Sequence, residues 1–162
     1  MLELLAPAGS MESLRAAVQN GANAVYLGCG TFNARQGAKN FTPQLLADAV
    51  KYCHVRGVDV HLTLNTLVSD REVSDVCTLI KQAALAGVDA FIVQDLAVAK
   101  LVKEICPSME IHGSTQMTIH DLSGALEAKR LGFKRAVLSR ELSLEEIKYI
   151  SERTDIELEA FV

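Results

Sequence analysis

The chain has 162 residues, 49% of them hydrophobic and 22% charged, a composition typical of a globular protein that can bury a core. It contains no stretch near the roughly 20 apolar residues of a membrane helix, and Met1, Leu2 and Glu3 do not open a secretion signal. We therefore expect a cytoplasmic protein with no membrane partner. The formal net charge of -4 provides no overall attraction for nucleic acid.

The sequence repeats a helical pattern, a glycine and a short apolar run. The glycines are Gly21, Gly57, Gly87 and Gly132, and each follows a stretch with helical periodicity. A glycine at that position can adopt the left-handed conformation that closes a helix. The repeat predicts alternating helices and strands.

Seven strands and six helices follow from this pattern. Thr42 before Pro43, Ser69 with Glu72, and Ser143 with Glu146 predict three helix starts, the last two as capping boxes. The strands are predicted at Leu2 to Ala6, Ala24 to Leu27, Asp59 to Leu64, Ala90 to Val93, Glu110 to His112, Arg135 to Leu138 and Glu157 to Val162.

The fold class is therefore α/β with a parallel sheet. Seven strands favour a parallel (β/α) barrel of the TIM type over an open sheet, with seven of the eight strands present. We expect residues 1–162 to be the N-terminal portion of one barrel domain, truncated at its C-terminus, with no second domain. The strand edges left unpaired would favour self-association.

Several strands alternate polar and apolar residues, whereas a strand buried on both faces is apolar throughout. In a barrel the polar set would face the interior and the apolar set the helices. The predicted inward residues are His61, Thr63 and Asn65; His112, Ser114 and Gln116; and Glu157 and Glu159.

The candidate site follows from the barrel, because barrel enzymes place their chemistry at the carboxyl ends of the strands. The residues expected to contact a substrate there are Asn65, Gln94, Ser114, Gln116, Arg140 and Glu141, with Arg35 from the loop after the second strand. Arg140 could grip a carboxylate or phosphate. Helix capping would equally explain Asp95, Ser139 or Ser114 taken singly, and Arg35 and Lys39 could belong to a solvated lid.

His61, His112 and Glu159 are predicted to lie behind the residues that contact the substrate and to hold them in place. The histidines are expected to pair with Glu157 or Glu159. No residue stands out as catalytic. The sequence lacks the metalloprotease helix and the serine-hydrolase elbow.

Four cysteines are present, and none is close to another. Cys29, Cys53, Cys77 and Cys106 offer no short metal-ligand spacing, so no cofactor site is expected within this chain. Cys53 and Cys77 fit buried helical positions, and Cys29 is the cysteine that we expect chemistry to reach.

Five blocks, in order along the chain, resemble peptidase family U32, the collagenase-like family. They are Glu3 to Gly9, Gly21 to Gly28, Phe32 to Phe41, Ile111 to Gln116 and Leu138 to Ile147. The resemblance implies a barrel enzyme. It also implies hydroxylation of tRNA or rRNA with prephenate, a small carboxylated donor, and an iron-sulfur cluster whose cysteine ligands follow the seventh strand, beyond Val162.

The resemblance leaves three functions open. An RNA hydroxylase fits the family blocks and the polar residues at the carboxyl ends of the strands. A collagenase-like peptidase would need a nucleophile that the sequence does not display. A non-catalytic binding or assembly module could use the same polar residues to hold a ligand.

Overall fold

The computed structural model describes residues 2–34 and 40–162, in which helices and strands alternate. The strands are β1 (Leu5–Pro7), β2 (Ala24–Gly28), β3 (Asp59–Leu64), β4 (Ala90–Val93), β5 (Glu110–Gly113), β6 (Arg135–Val137) and β7 (Glu157–Glu159). The helices are α1 (Met11–Gln19), α2 (Pro43–His54), α3 (Val73–Ala86), α4 (Leu96–Ile105), α5 (Leu122–Arg130) and α6 (Leu144–Ser151). A single 3-10 turn, Thr115–Met117, follows β5.

All seven strands of the described chain are parallel and pair in chain order from β1 to β7. The sheet curls strongly enough for the Arg135 guanidinium of β6 to reach the Glu3 carboxylate just before β1, with both nitrogen–oxygen distances 2.8 Å. The seven parallel strands thus form a curled half-barrel that fits a TIM-like α/β barrel with seven of its eight strands present, as the sequence predicts.

The glycines that were predicted to close helices do so. Gly21, Gly57, Gly87 and Gly132 have φ angles of 91°, 68°, 88° and 88°. A side chain with a Cβ would be strained at these angles. Each glycine can therefore turn the chain from a helix into the next strand.

Two of the three predicted helix starts are confirmed. Thr42 caps α2 through its hydroxyl oxygen, and Ser143 forms a capping box with Glu146 at α6. The predicted capping box at Ser69 is wrong, because helix α3 begins later, at Val73. Ser69 and Glu72 instead close the preceding turn, where the Ser69 N–H and O–H both donate to the Glu72 carboxylate.

The terminal strands are shorter than predicted. β7 ends at Glu159 because its partner β6 has only three residues, from the Arg135–Glu157 pair to the Val137–Glu159 pair. β1 begins at Leu5 and includes Pro7, which lacks an N–H but is acceptable in a strand at the end of the sheet.

The two faces of the sheet separate apolar from polar side chains. Leu62, Phe91 and Ile111 face the helices and are fully buried. On the inner face the rings of His61 and His112 meet edge to face, with centroids 4.8 Å apart. They meet across β4, where the small side chain of Ala90 pairs with His61 and leaves room.

The helices of the described segments are all too short or too polar to span a membrane.

Candidate functional site

A cavity of about 280 Å³ opens at the carboxyl ends of the strands. It is walled by residues that follow β2, β3, β5 and β6, and its floor is formed by side chains of the inner face. Asn65, Ser114, Gln116 and Arg140, four of the predicted contact residues, lie around it. The barrel thus brings together side chains that are up to 75 positions apart, from 65 to 140.

One wall is a hydrogen-bonded network centred on Asn65. The Ala34 N–H donates to Asn65 Oδ1 at 3.0 Å, and Asn65 Nδ2 donates to Gln116 Oε1 at 2.8 Å. The Ser114 hydroxyl also donates to Gln116 Oε1, at 2.6 Å. The network ties the loop after β2 to the 3-10 turn after β5 and fixes the side chains that face the cavity.

The part of the wall that follows β6 carries the positive charge. The Arg140 guanidinium stacks over the Phe161 ring, with the guanidinium carbon 4.4 Å from the ring centroid. This stacking restricts the side chain and leaves the planar edge of the guanidinium free to donate. Arg140 is the one basic residue among the described residues that line the cavity.

Glu159 supplies the only carboxyl group of the described cavity wall, and it lies in the floor. Burial raises its pKa, although Arg135 opposes the rise. Its Oε2 atom lies 3.6 Å from Arg135 Nη1, too far for a hydrogen bond. Burial thus destabilises the charged form of this carboxyl group, while Arg135 stabilises it.

His61 and His112 lie on the inner face, below the cavity, and do not line it. Three of their ring nitrogens, His61 Nδ1 and both nitrogens of His112, make no hydrogen bond within the described chain. Burial lowers the pKa of His61 to about 4 and that of His112 to about 2. Both rings are therefore neutral at physiological pH.

The predicted pairing of these histidines with Glu157 or Glu159 is wrong. Instead, these carboxylates form ion pairs with Arg135, an inner-face residue that the sequence analysis did not select. It donates to Glu3 through two nitrogens and to Glu157 through Nε and Nη2. Arg135 lies opposite His112 in the β5–β6 pairing, and paired residues in parallel strands share a face of the sheet. This register comes from the structure, so the sequence alone did not indicate that Arg135 faces inward.

Two predicted contact residues do not line the cavity, and a third cannot be placed. Gln94 is turned toward the Gln116 backbone, where its Nε2 lies 3.5 Å from the carbonyl oxygen, and Glu141 is exposed in the turn before α6. Arg35 and its neighbour Lys39 lie outside the described residues. Asp95 caps α4 and accepts from the Val68 N–H, so the capping interpretation is correct for this residue.

The cavity also has members that sequence reasoning missed. Tyr26, Gly28, Asn33 and Asn40 line it from β2 and the loop that follows. Gly28 is required there, because a Cβ atom at this position would lie 2.7 Å from Asn33 Cγ. Tyr26 could have been found from its alternation with Ala24 and Gly28, the rule that identified the inner residues of β3.

The cysteines do not form a site. Cys29 is fully buried beside the bridge to Phe41, which raises the pKa of its thiol and contradicts the expectation that chemistry reaches it. Cys53 is buried, as predicted, whereas Cys77 is partly exposed. Across 2–34 and 40–162, no three cysteine, histidine or carboxylate side chains converge as metal ligands do. These residues therefore do not fit an iron-sulfur cluster.

A parallel barrel with a polar cavity at its carboxyl ends has the usual architecture of a barrel enzyme. The sequence model of peptidase family U32 matches residues 9–162, and the chain belongs to this family. The solved U32 peptidase Mk0906 has the same fold, with a TM-score of 0.78 at 20% identity over 99% of this chain and 68% of that one.

Curated relatives carry different names. An uncharacterized protease of Methanocaldococcus jannaschii is 39% identical over 100% of this chain and 40% of its own length. A 23S rRNA 5-hydroxycytidine synthase of Escherichia coli is 38% identical over 99% of the chain and 24% of the relative. The tRNA hydroxylation protein P1 of Bacillus subtilis is 34% identical, with 99% and 38% covered. The chain thus spans two fifths or less of these relatives.

Proposed function

We propose that this chain forms the donor-binding part of a cytoplasmic enzyme that hydroxylates tRNA or rRNA, and that its cavity holds a small carboxylated donor such as prephenate. The observation that carries the proposal is the cavity wall itself, in which the exposed side chains of Arg140 and Gln116 both line one cavity that opens to solvent. The names of the Escherichia coli and Bacillus subtilis relatives support RNA hydroxylation as the reaction of the whole protein.

The size and charge of the cavity favour a small anion. A volume of about 280 Å³ lies at the lower end of ligand pockets, which hold roughly 300 to 1,000 Å³, and suits a metabolite better than a polymer. Arg140 can bind a carboxylate through two parallel hydrogen bonds. Glu159 is the one acidic group of the described wall, and burial raises its pKa, which destabilises the charged form that would oppose that interaction.

Two parts of the reaction would be supplied from outside these residues. Because the cysteines present do not converge, we propose that the iron-sulfur cluster of the whole enzyme is bound by cysteines beyond this chain. The net charge of -4 likewise favours an RNA contact made by other parts of the protein.

The peptidase alternative has a relative of that name but no site to support it. A collagenase of Porphyromonas gingivalis is 36% identical over 93% of this chain and 36% of its own length. Yet in the described residues no serine, threonine or cysteine side chain hydrogen-bonds to a histidine, which a nucleophile and its base would do.

Calorimetric titration of the chain with prephenate tests the donor site. We expect saturable binding that weakens by about tenfold or more in Arg140→Lys, because a point charge does not replace a planar fork. Arg130→Lys is the matched control, since Arg130 is exposed on α5 and pairs with Glu127. Equal binding by Arg140→Lys and the wild type would contradict the site.

The reaction is tested in the whole protein. Nucleosides from tRNA and rRNA of a strain lacking the gene should lose one hydroxylated pyrimidine, as measured by mass spectrometry. The wild-type gene should restore it and the Arg140→Lys gene should not. Unchanged nucleosides together with cleavage of gelatin by the purified protein would favour the peptidase, and binding without either activity would favour a non-catalytic module.

A further inference from the structure

Gln116 faces the cavity with an amide whose two ends are chemically opposite. An amide oxygen accepts hydrogen bonds and an amide nitrogen donates two, so the orientation of the group decides what the cavity wall can bind. That orientation follows from a chain of two hydrogen bonds that begins at the backbone of Ala34, and from a third that the Ser114 hydroxyl donates.

The backbone N–H of Ala34 can only donate, so the atom of Asn65 that receives it at 3.0 Å must be Oδ1. The Nδ2 group of Asn65 is thereby directed at Gln116, and the Gln116 atom 2.8 Å from it must be Oε1. The Ser114 hydroxyl reinforces this choice by donating to the same Oε1 at 2.6 Å. Gln116 Nε2 makes no hydrogen bond to any described residue.

The reverse orientation would bring two donors together. A flipped Gln116 would set its Nε2 against Asn65 Nδ2, and a flipped Asn65 would set Nδ2 against the Ala34 N–H. Each such contact would replace a hydrogen bond by two donors facing each other, which is unfavourable. The polarity of Gln116 is therefore fixed before a ligand arrives.

We infer that Asn65 is a positioning residue that holds Gln116 as a hydrogen-bond donor, and that Gln116 and Arg140 together select a dicarboxylate. This inference rests on the proposed function and specifies its ligand. Arg140 binds one carboxylate through its guanidinium, and Gln116 Nε2 binds the second. A ligand with an amide in place of the second carboxylate would direct its own NH₂ donors at Nε2 or lose the charge-assisted bond.

The test compares benzylmalonate, a dicarboxylate that carries a six-membered ring, with its half-amide. Calorimetry on the whole chain should show the wild type binding the dicarboxylate more tightly by about tenfold to a hundredfold, the value of one hydrogen bond to a charged group. In Asn65→Asp, the new carboxylate can only accept, so Gln116 turns and presents Oε1 to the cavity. The preference should reverse in favour of the half-amide.

Asn65→Asp also adds a negative charge, and Thr115→Asp is the control for that charge. Thr115 lines the same cavity but belongs to none of the hydrogen bonds that fix Gln116. It should weaken the dicarboxylate more than the half-amide, because the dicarboxylate carries one more negative charge, and so should reduce the preference without reversing it. Circular dichroism of each variant checks that the fold is retained.

The outcomes separate the two proposals. If the wild type prefers the dicarboxylate but Asn65→Asp and Thr115→Asp change the preference equally, the role of Asn65 is wrong and the donor site stands. If the wild type binds neither prephenate nor benzylmalonate, the proposed function fails and the dicarboxylate assignment fails with it.

Discussion

The buried histidines of the inner face make the stability of this protein depend on pH in a defined window. The folded state lowers the pKa of His61 from 6.5 to about 4, because burial disfavours the imidazolium and Arg135 adds repulsion. For His112 the pKa falls to about 2, through burial and the neighbouring His61. Replacing His61 by leucine, a side chain of similar size, removes one of these groups.

The sign follows from proton uptake. Above pH 6.5 both rings are neutral in the folded and the unfolded chain, so they cost no stability. Below that value the histidines bind protons in the unfolded chain but remain neutral in the folded chain, so the free energy of unfolding falls. For His61 the loss continues until about pH 4, and for His112 until about pH 2.

The magnitude at about pH 5 is about 2 kcal/mol for each histidine, from the ratio of proton binding in the two states. Urea denaturation at about pH 8 and about pH 5 measures it. The free energy of unfolding of His61→Leu, relative to that of the wild type, should be about 2 kcal/mol higher at the lower pH than at the higher pH. For the double variant with His112→Leu, this difference between the two pH values should be about 4 kcal/mol.

Ile92→Val is the matched control, since Ile92 pairs with His112 in the sheet and carries no proton. It should cost about 1 kcal/mol equally at both pH values. A gain in His61→Leu that is the same at both pH values would show that the histidine is protonated in the folded state, and would refute the reasoning.

Three further changes have expected outcomes. Arg135→Met should lower the free energy of unfolding by about 2 kcal/mol in urea titrations, since it leaves the Glu3 carboxylate unpaired and the Glu157 carboxylate with Lys134 as its remaining partner; a loss below about 0.5 kcal/mol would contradict that pairing. Ser143→Ala should cost about 1 kcal/mol by removing the α6 cap, whereas Ser151→Ala, on the last turn, should cost less. Light scattering should detect self-association of the chain through the exposed edge at Leu2 and Leu4, and a Leu4→Lys variant should reduce it.

Local sequence was sufficient for the elements and their faces. The four closing glycines and the alternation of β3 predict a parallel barrel with His61 turned inward, and the structure has both. These features depend on neighbours a few positions away, namely on backbone conformation at a glycine and on the two-residue period of a strand. The helix caps at Thr42 and Ser143 belong to the same local class.

Contacts between distant elements could not be read in this way. The sequence selected Asn65, Ser114 and Gln116 because they follow strands, but the polarity of Gln116 depends on the Ala34 N–H, 82 positions earlier, from 34 to 116. Likewise, the Arg135–Glu3 pair spans 132 positions. It exists because the sheet curls, and no local pattern encodes how far a sheet curls.

Burial of single residues was also decided by the tertiary structure. Cys29 follows β2, where chemistry was expected to reach it, yet the bridge between Cys29 and Phe41 covers it completely. Glu141 and Arg140 both follow β6 and are both exposed, but Arg140 is stacked on Phe161 and lines the cavity, whereas Glu141 does not. The sequence thus determined which residues reach the carboxyl ends of the strands. Packing across the barrel determined which of them face the cavity, because a side chain's surroundings there come from strands far away in the chain.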